Sequence, residues 1–397
     1  MSSKVIAKIS PLDLQDLDAP PTASITDVKY LSSYNWIESP NPTIAVPGSP
    51  ALWNAPKVPQ RLKKDTGLIY IAQNAARHPD SPLEPLFRAL YITDPSFDIQ
   101  SVDVVTDRNN IRKLLTFIDP TASRNGLEEF TINIEVNKNT AIFSRDETAT
   151  HEFIGPDEFR GFGHEFEKAC TTNKIVGSTG HYRIISYRFG GLSIIVRHET
   201  DGYVDTKAGS SSSSTNKVQS PVDLTSVFES LSLSPTNSNA GTTTTKGSKL
   251  VVQQDGQAVS LNSTLEIKTR VSHKPLDIRE VTPQLWVSQT PRLVRAYHQR
   301  GVFQIPTVED VTAQIKRWEQ DNQRHLRKLA ALIRKIVKIV KDCNESVTLR
   351  YDARERKLIL SKLSTQKKML PQDLYSKWDA SSNPKTGTDT NVAKGKA

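Results

Sequence analysis

The sequence predicts an α/β fold: mixed, largely antiparallel β-sheets flanked by helices. Two observations carry the prediction. Runs of alternating apolar residues come in pairs joined by turn residues, as in "FTINIEVNKNTAIFSRDE" (130–147) around Lys138-Asn139 and in "YRIISYRF" and "LSIIVRHE" (182–199) around Gly190-Gly191. Interleaved with them, "LEPLFRALYIT" (83–93) and "RNNIRKLLTFI" (108–118) place apolar residues at the three- and four-residue steps of a helix.

Composition sets the outer bounds. The 397 residues are 36% hydrophobic and 24% charged, with a mean hydropathy of −0.46, ordinary values for a globular chain. No apolar run reaches the length of a membrane span, and "MSSKVIAKISPLDLQDL" lacks the apolar core of a signal peptide. Cys170 and Cys343 are too few for a disulfide framework or a four-cysteine zinc site, so a reducing compartment is expected. The formal charge of +9 favours polyanionic partners. Much of it sits between Gln314 and Lys341, where nine basic residues face two acidic ones.

The elements follow in order. The first 60 residues, rich in Pro, Ser and Asn, predict an extended N-terminal arm. The spacing of Phe159, Phe162 and Phe166 predicts a helix across "PDEFRGFGHEFEKACTTN" (156–173). Residues 207–248 form a Ser/Thr/Gly/Asn tract that cannot bury enough apolar surface to order itself. Within it "VDLTSVFESLSL" (222–233) reads as a short helix or docking peptide, or as a hydrophobic accident in a linker. Strands are expected in "LVVQQDGQAVS" and "LEIKT", then a helix running into a strand over 282–303. "TVED" at Thr307 has the form of a capping box opening a long helix. Its apolar stripe runs from Val308 through Ile315, Leu326 and Ile333 to Val340; its basic outer face suits solvent or an RNA backbone. A hairpin (347–360) and a polar tail (366–397) complete the chain.

Chemistry concentrates at a few spacings. In "LEIKT", Glu266 and Lys268 share one strand face while Leu265 and Ile267 share the other. A carboxylate, a carbonyl and an ammonium so close together suit a hydrolytic metal site with hard oxygen ligands. Alone, the spacing is better read as the wet side of a strand. Glu355 and Lys357 repeat it in a turn where no chemistry is expected. Glu199 and Asp201 share a face at the end of "LSIIVRHETDG", and Glu167 sits on the helix of "GHEFE". Glu319 and Asp321 have the same spacing on a helix, where their side chains diverge. No Cys/His spacing supports zinc, although His151, His164, His181 and His198 lie near one another in sequence. Tyr187, Tyr203 and Trp286 fit core packing better than base stacking.

In this order the motifs resemble those of the DXO-type decapping nucleases, which carry a modified PD-(D/E)XK core. "VDVVTDRNNIRKLL" is similar to the family's arginine segment and gives Arg108; "GHEFEKACT" gives Gly163 and Glu167. The strand pair ending in "HETDG" gives Glu199 and Asp201, "LEIKT" gives Glu266 and Lys268, and Gln284 falls where the family has an active-site glutamine. His164 and Thr200 stand where the family has apolar residues.

The resemblance implies a single domain over 61–365, with two sheets enclosing an active-site cleft. Because the third and fourth motifs must meet in space, 207–248 becomes an insertion rather than a boundary. It further implies that Glu167, Glu199, Asp201, Glu266 and the Ile267 carbonyl bind one or two Mg²⁺ or Mn²⁺ ions, while Arg108, Lys268 and Gln284 hold phosphate and water. The expected activity is metal-dependent hydrolysis at RNA 5′ ends: removal of incomplete or NAD-type caps, pyrophosphate release from 5′-triphosphates, and 5′→3′ exonuclease cleavage. A nuclear or cytoplasmic setting and a 5′→3′ exoribonuclease partner go with it, and no membrane. Two alternatives stay open: a DNA-directed nuclease of the same superfamily, and a non-catalytic scaffold that binds RNA or an exonuclease.

Overall fold

The computed structural model describes residues 4–15, 19–122, 126–205, 241–363 and 368–379. The N-terminal third runs β1 (Val5–Ile9), β2 (Ile25–Ile37), β3 (Thr43–Pro47), β4 (Leu52–Trp53), β5 (Gln60–Arg61), β6 (Gly67–Tyr70), α1 (Gln73–Arg77), α2 (Glu84–Thr93), β7 (Val104–Asp107) and α3 (Arg108–Ile118). The middle contains β8 (Phe130–Asn137), β9 (Thr140–Asp146), β10 (His151–Ile154), α4 (Gly163–Cys170), β11 (Thr171–Thr172), β12 (Ser178–Phe189), β13 (Leu192–Glu199), β14 (Gly202–Tyr203), β15 (Thr242–Thr244) and β16 (Val251–Asp255). Then come β17 (Thr264–Val271), α5 (Ile278–Ser288), β18 (Arg292–Gln299), β19 (Val302–Phe303), β20 (Val308–Asp310), α6 (Thr312–Asp321), α7 (Gln323–Cys343), β21 (Val347–Asp352), β22 (Lys357–Lys362) and α8 (Gln372–Tyr375).

Two mixed sheets result, as the sequence predicts. The larger has twelve strands in the order β1-β22-β21-β8-β9-β7-β13-β12-β2-β3-β16-β15. The second runs β11-β4-β14-β17-β18-β19-β5, with β20 also paired to β18. A separate two-stranded ribbon joins β10 to β6. The large sheet is covered on both faces because its central strands alternate apolar residues. Ile185, Tyr187 and Val196 pack against α3, α5 and α7, while Ile184 and Ile195 pack with Phe87 of α2 and with Leu374 and Trp378 near the C-terminus. A smaller cluster seats Phe166 and Cys170 of α4 on Leu265 and Ile267 of β17.

The Gly-Gly turn joins β12 to β13 in register from Tyr182↔Glu199 to Phe189↔Leu192. Both glycines have positive φ, +54° and +83°, the turn geometry that Gly adopts without strain. Beyond Glu199 the chain leaves the large sheet, crosses Thr200 and Asp201, and enters the second sheet as β14, where Gly202 faces Leu265. That crossing brings the third and fourth motifs together.

Several expectations need correction. The N-terminal segment is extended, but it enters both sheets as β1–β5, with β2 pairing along β12 from Ile25 to Ile37. The helix expected over 156–173 begins only at Gly163: Gly161 has φ +144°, and Phe159 stands 65% exposed. "TVED" opens no helix. Val308–Asp310 is β20, and Glu309 is held across the ladder by Arg295 at 2.8 and 2.5 Å instead of capping. The helix starts at Thr312 and is interrupted at Asn322 (φ −103°, ψ 14°), giving α6 and α7. The tail is not uniformly polar, since Leu370, Leu374 and Trp378 are buried and the indole N–H donates to Thr140 Oγ1 at 2.9 Å. Residues 222–233 lie outside the described residues, but the end of the 207–248 tract is ordered, with β15 pairing to β16 at the edge of the large sheet. Among the described residues no helix is long and apolar enough to cross a membrane.

Candidate active site

A cleft of about 830 Å³ opens where the ends of β12 and β13 meet β17. Arg108, Glu167, Glu199, Asp201, Glu266, Lys268 and Gln284 all line it. Seven side chains read from five separate segments therefore converge on one concavity.

Each is placed by its element. Arg108 is the first residue of α3, directly after β7. The preceding Asp107 accepts two hydrogen bonds from buried Arg197 of β13, at 2.7 and 3.0 Å. Arg197 also donates to the Pro82 carbonyl at 2.7 Å. This fork fixes the start of α3 against β13, and Arg108 with it. Glu266 is 2% exposed, and Lys268, Gln284 and Arg108 all donate to its carboxylate, Arg108 at 3.2 Å. Gln284 comes from α5, whose N-terminus is capped by Asp277 accepting from the Arg279 N–H at 2.9 Å. Asp201 Oδ2 accepts the Ile267 backbone N–H at 2.7 Å. In a strand a residue's N–H and C=O leave the same edge, so the Ile267 carbonyl faces the Asp201 side as well. Glu167 lies on α4, which Asp65 caps from a distance by accepting the Glu165 N–H at 3.0 Å. Glu199 is open to the cleft, and Gly180 beside it leaves room for Gln73, whose Oε1 would lie 2.5 Å from a β-carbon at that position.

The electrostatics are unbalanced. Six carboxylates line the cleft against five cations, and four of the six, Glu167, Glu199, Asp201 and Glu266, gather around Arg108 and Lys268. Burial, with the neighbouring Asp201, raises the Glu167 carboxyl well above its usual range. Burial, reinforced by Glu266, pushes Asp201 up to about 7. Desolvation by the cleft walls also raises Glu199, although it opens toward the cleft and despite the pull of Arg108. Glu266 goes the other way: burial would raise it, but Lys268 and Arg108 outweigh burial and hold it low. Lys268 is raised in turn, because Glu266 and Asp201 more than offset its desolvation.

Among the described residues no three His, Cys, Asp or Glu side chains are gathered tightly enough to cage a metal ion. Glu266 is turned toward its three donors and Asp201 toward the β17 backbone. The donor set nevertheless fits a hard divalent cation. It consists of carboxylate oxygens with a surplus of negative charge that a 2+ ion would neutralise.

Two neighbours, Asn35 and Asp65, escape sequence reading, and two more, His181 and His198, are assigned no role by it. Asn35 Oδ1 accepts the Ser49 N–H at 2.8 Å, so His181 Nδ1, also 2.8 Å away, must donate to it. Burial lowers His181 and His198 well below the usual imidazole range, and both rings line the cleft as neutral groups. Asp65 acts on α4 from a hundred residues away. Their signals are tertiary, with no local motif to reveal them. Trp286 and Tyr187 are core residues as expected, Tyr203 is only partly buried, and Glu319 is spent accepting the Trp286 indole N–H at 2.7 Å.

Comparison with solved structures matches this architecture. The crystal structure of S. pombe Rai1 shares 14% identity at a TM-score of 0.54, covering 90% of this chain and 99% of that one. Candida albicans Rai1 in complex with pU5-Mn²⁺ gives 12% identity and 0.55, over 95% and 98% of the two chains. Scheffersomyces stipitis Rai1 with (3′-NADP)⁺ and calcium ion gives 12% and 0.55, over 90% and 96%. At these identities the likeness is one of fold, and at that level it agrees with the resemblance read from the motifs. No curated protein matches the sequence. Residues 3–378 match the family described as a domain of unknown function, DUF8563, and the chain belongs to that family.

Proposed function

We propose that this protein is a divalent-metal-dependent hydrolase acting on RNA 5′ ends. One observation carries the reading: Glu167, Glu199, Asp201 and Glu266 meet Arg108, Lys268 and Gln284 in a single cleft between two sheets. The fold is shared with a Rai1 structure holding pU5 and Mn²⁺. Glu199, Asp201, Glu266 and the Ile267 carbonyl would hold Mg²⁺ or Mn²⁺, with Glu167 a direct or water-mediated ligand. When bound, the metal would supply Lewis acidity toward water and phosphate.

The chain's own groups do the rest. Arg108 presents a guanidinium fork suited to phosphate oxygens, from a helix start fixed by the Asp107–Arg197 pair. Lys268 places a second positive charge where negative charge gathers as phosphate is attacked. The Gln284 amide N–H now given to Glu266 can orient a water or a phosphate oxygen when the carboxylate is otherwise engaged.

The reactions this supports are pyrophosphate release from 5′-triphosphate RNA, removal of incomplete or NAD-type caps, and 5′→3′ exonuclease cleavage. A 5′→3′ exoribonuclease is the partner class that would consume the 5′-monophosphate product. A nuclear or cytoplasmic setting would go with RNA ends of this kind. The test is a substrate panel with Mn²⁺: 5′-triphosphate, capped, NAD-capped and 5′-monophosphate RNA beside duplex DNA of the same sequence. Release of 5′-terminal products from RNA supports the reading. Cleavage of duplex DNA alone would replace it with the DNA-directed alternative.

A further inference from the structure

At the rim of the cleft the β6–β10 ribbon exposes an apolar, aromatic face. The register pairs Leu68 with Phe153 and Tyr70 with His151. Directly opposed residues of an antiparallel pair share a side, and so do residues two apart along a strand. Leu68, Tyr70, His151 and Phe153 therefore occupy one face. Ile154, on the other face, is buried. On the first face Leu68 is 54% exposed and Phe153 is 71% exposed. The Arg77 guanidinium sits 5.1 Å from the Tyr70 ring centre, adding positive charge beside the ring.

Directly opposed, uncovered Leu and Phe side chains make a small contiguous apolar surface that a ligand can cover. Their location says which ligand. Leu68 and Tyr70, with Ile69 of the opposite face, line the same cleft as Arg108 and Lys268, so β6 forms the rim, and the Leu68/Tyr70 face runs from it outward onto His151 and Phe153 of β10. A single-stranded nucleic acid whose 5′ phosphate lies on the cleft floor must pass its next nucleotides over the rim. Aromatic and aliphatic side chains there offer what bases need: flat apolar contact without sequence preference.

We infer that the Leu68/Tyr70/His151/Phe153 face is a stacking ledge for the bases of the RNA strand leaving the cleft. The inference rests on the RNA-end reading above and adds how the body of the substrate is held. The hydrophobic floor of the ledge acts on bases, while the charges in the cleft act on phosphates. The two contributions are therefore separable by experiment.

The test is fluorescence anisotropy with the full chain, in EDTA to prevent cleavage. Two 5′-phosphorylated probes are used: a single-stranded RNA octamer, and an octamer abasic after its first residue. Phe153→Ala should weaken the RNA octamer about tenfold, the loss of one stacked base, and Phe153→Trp should restore it. Affinity for the abasic octamer should be low and unmoved by either change. Leu12→Ala, at an exposed apolar residue away from the ribbon, serves as the control and should bind like wild type. If wild type binds the RNA octamer and Phe153→Ala binds it equally well, the ledge is refuted while the RNA reading stands. If wild type binds neither octamer, the RNA reading falls and the ledge with it.

Discussion

Asp201→Asn should make the metal-free protein more stable, even though it removes a proposed metal ligand. The folded protein raises the Asp201 carboxyl from an ordinary 3.8 to about 7, through burial and the adjacent Glu266. A carboxyl raised by folding keeps its proton in the native state while the unfolded chain releases it. Stability therefore falls as pH climbs from about 4 to about 7, and the loss is complete above that. At roughly 1.4 kcal/mol per pH unit the ceiling is about 4 kcal/mol. Asp201 is only partly buried and borders the solvent of the cleft, which brings the expected size to about 2 kcal/mol. Asparagine retains the oxygen that accepts the Ile267 N–H, so the hydrogen bond survives the change. Urea unfolding in EDTA should show the variant about 2 kcal/mol more stable at pH 8 and about 1.4 kcal/mol more stable at pH 5. Below pH 4 the difference should vanish. Added Mn²⁺ should reverse the order at pH 8, because only wild type gains the binding free energy of the ion. A variant less stable than wild type in EDTA at pH 8, or a gap equal at pH 5 and pH 8, would refute the reasoning.

Other expectations follow from single contacts. Asp107→Ala strands the buried Arg197 guanidinium and should cost about 3–5 kcal/mol in urea unfolding; a loss below 1 kcal/mol would mean the fork does not anchor α3. Lys268→Ala should lower kcat on 5′-triphosphate RNA by about 10²–10³, the loss seen when one charge-stabilising donor is removed, and a fall under threefold would take Lys268 out of the chemistry. Trp378→Ala should destabilise by about 3–5 kcal/mol, since the side chain is fully buried and its indole is bonded to Thr140. Unchanged stability in that variant would show that the C-terminal segment does not belong to the core.

The parts legible in the sequence are those written at short range. Period-two alternation located β12, β13 and β17, Gly190-Gly191 placed their turn, and the ordered motifs located all seven cleft side chains. What escaped depends on tertiary pairing. "TVED" satisfies a capping pattern, yet Glu309 gains two hydrogen bonds from Arg295, and β20 pairing takes precedence over a local cap. The Phe159/Phe162/Phe166 spacing is helical by count, but the chain at Gly161 adopts a φ that no helix continues. Nothing near Trp378 announces a core residue; its partners, Phe87 and Thr140, come from distant segments. His181 and His198 face the cleft only because β12 and β13 pair in that register, opposite Asn35 and Arg183.

The central claim is that the acidic cleft hydrolyses RNA 5′ ends with a divalent metal. Its most direct test follows product release from 5′-labelled triphosphate RNA, with Mn²⁺ and with EDTA, for wild type and for Glu199→Ala/Asp201→Ala. The account predicts release by wild type only when Mn²⁺ is present, and at least a hundredfold less by the double variant at equal folded concentration. Equal release by the two proteins, or release by wild type in EDTA, would contradict it.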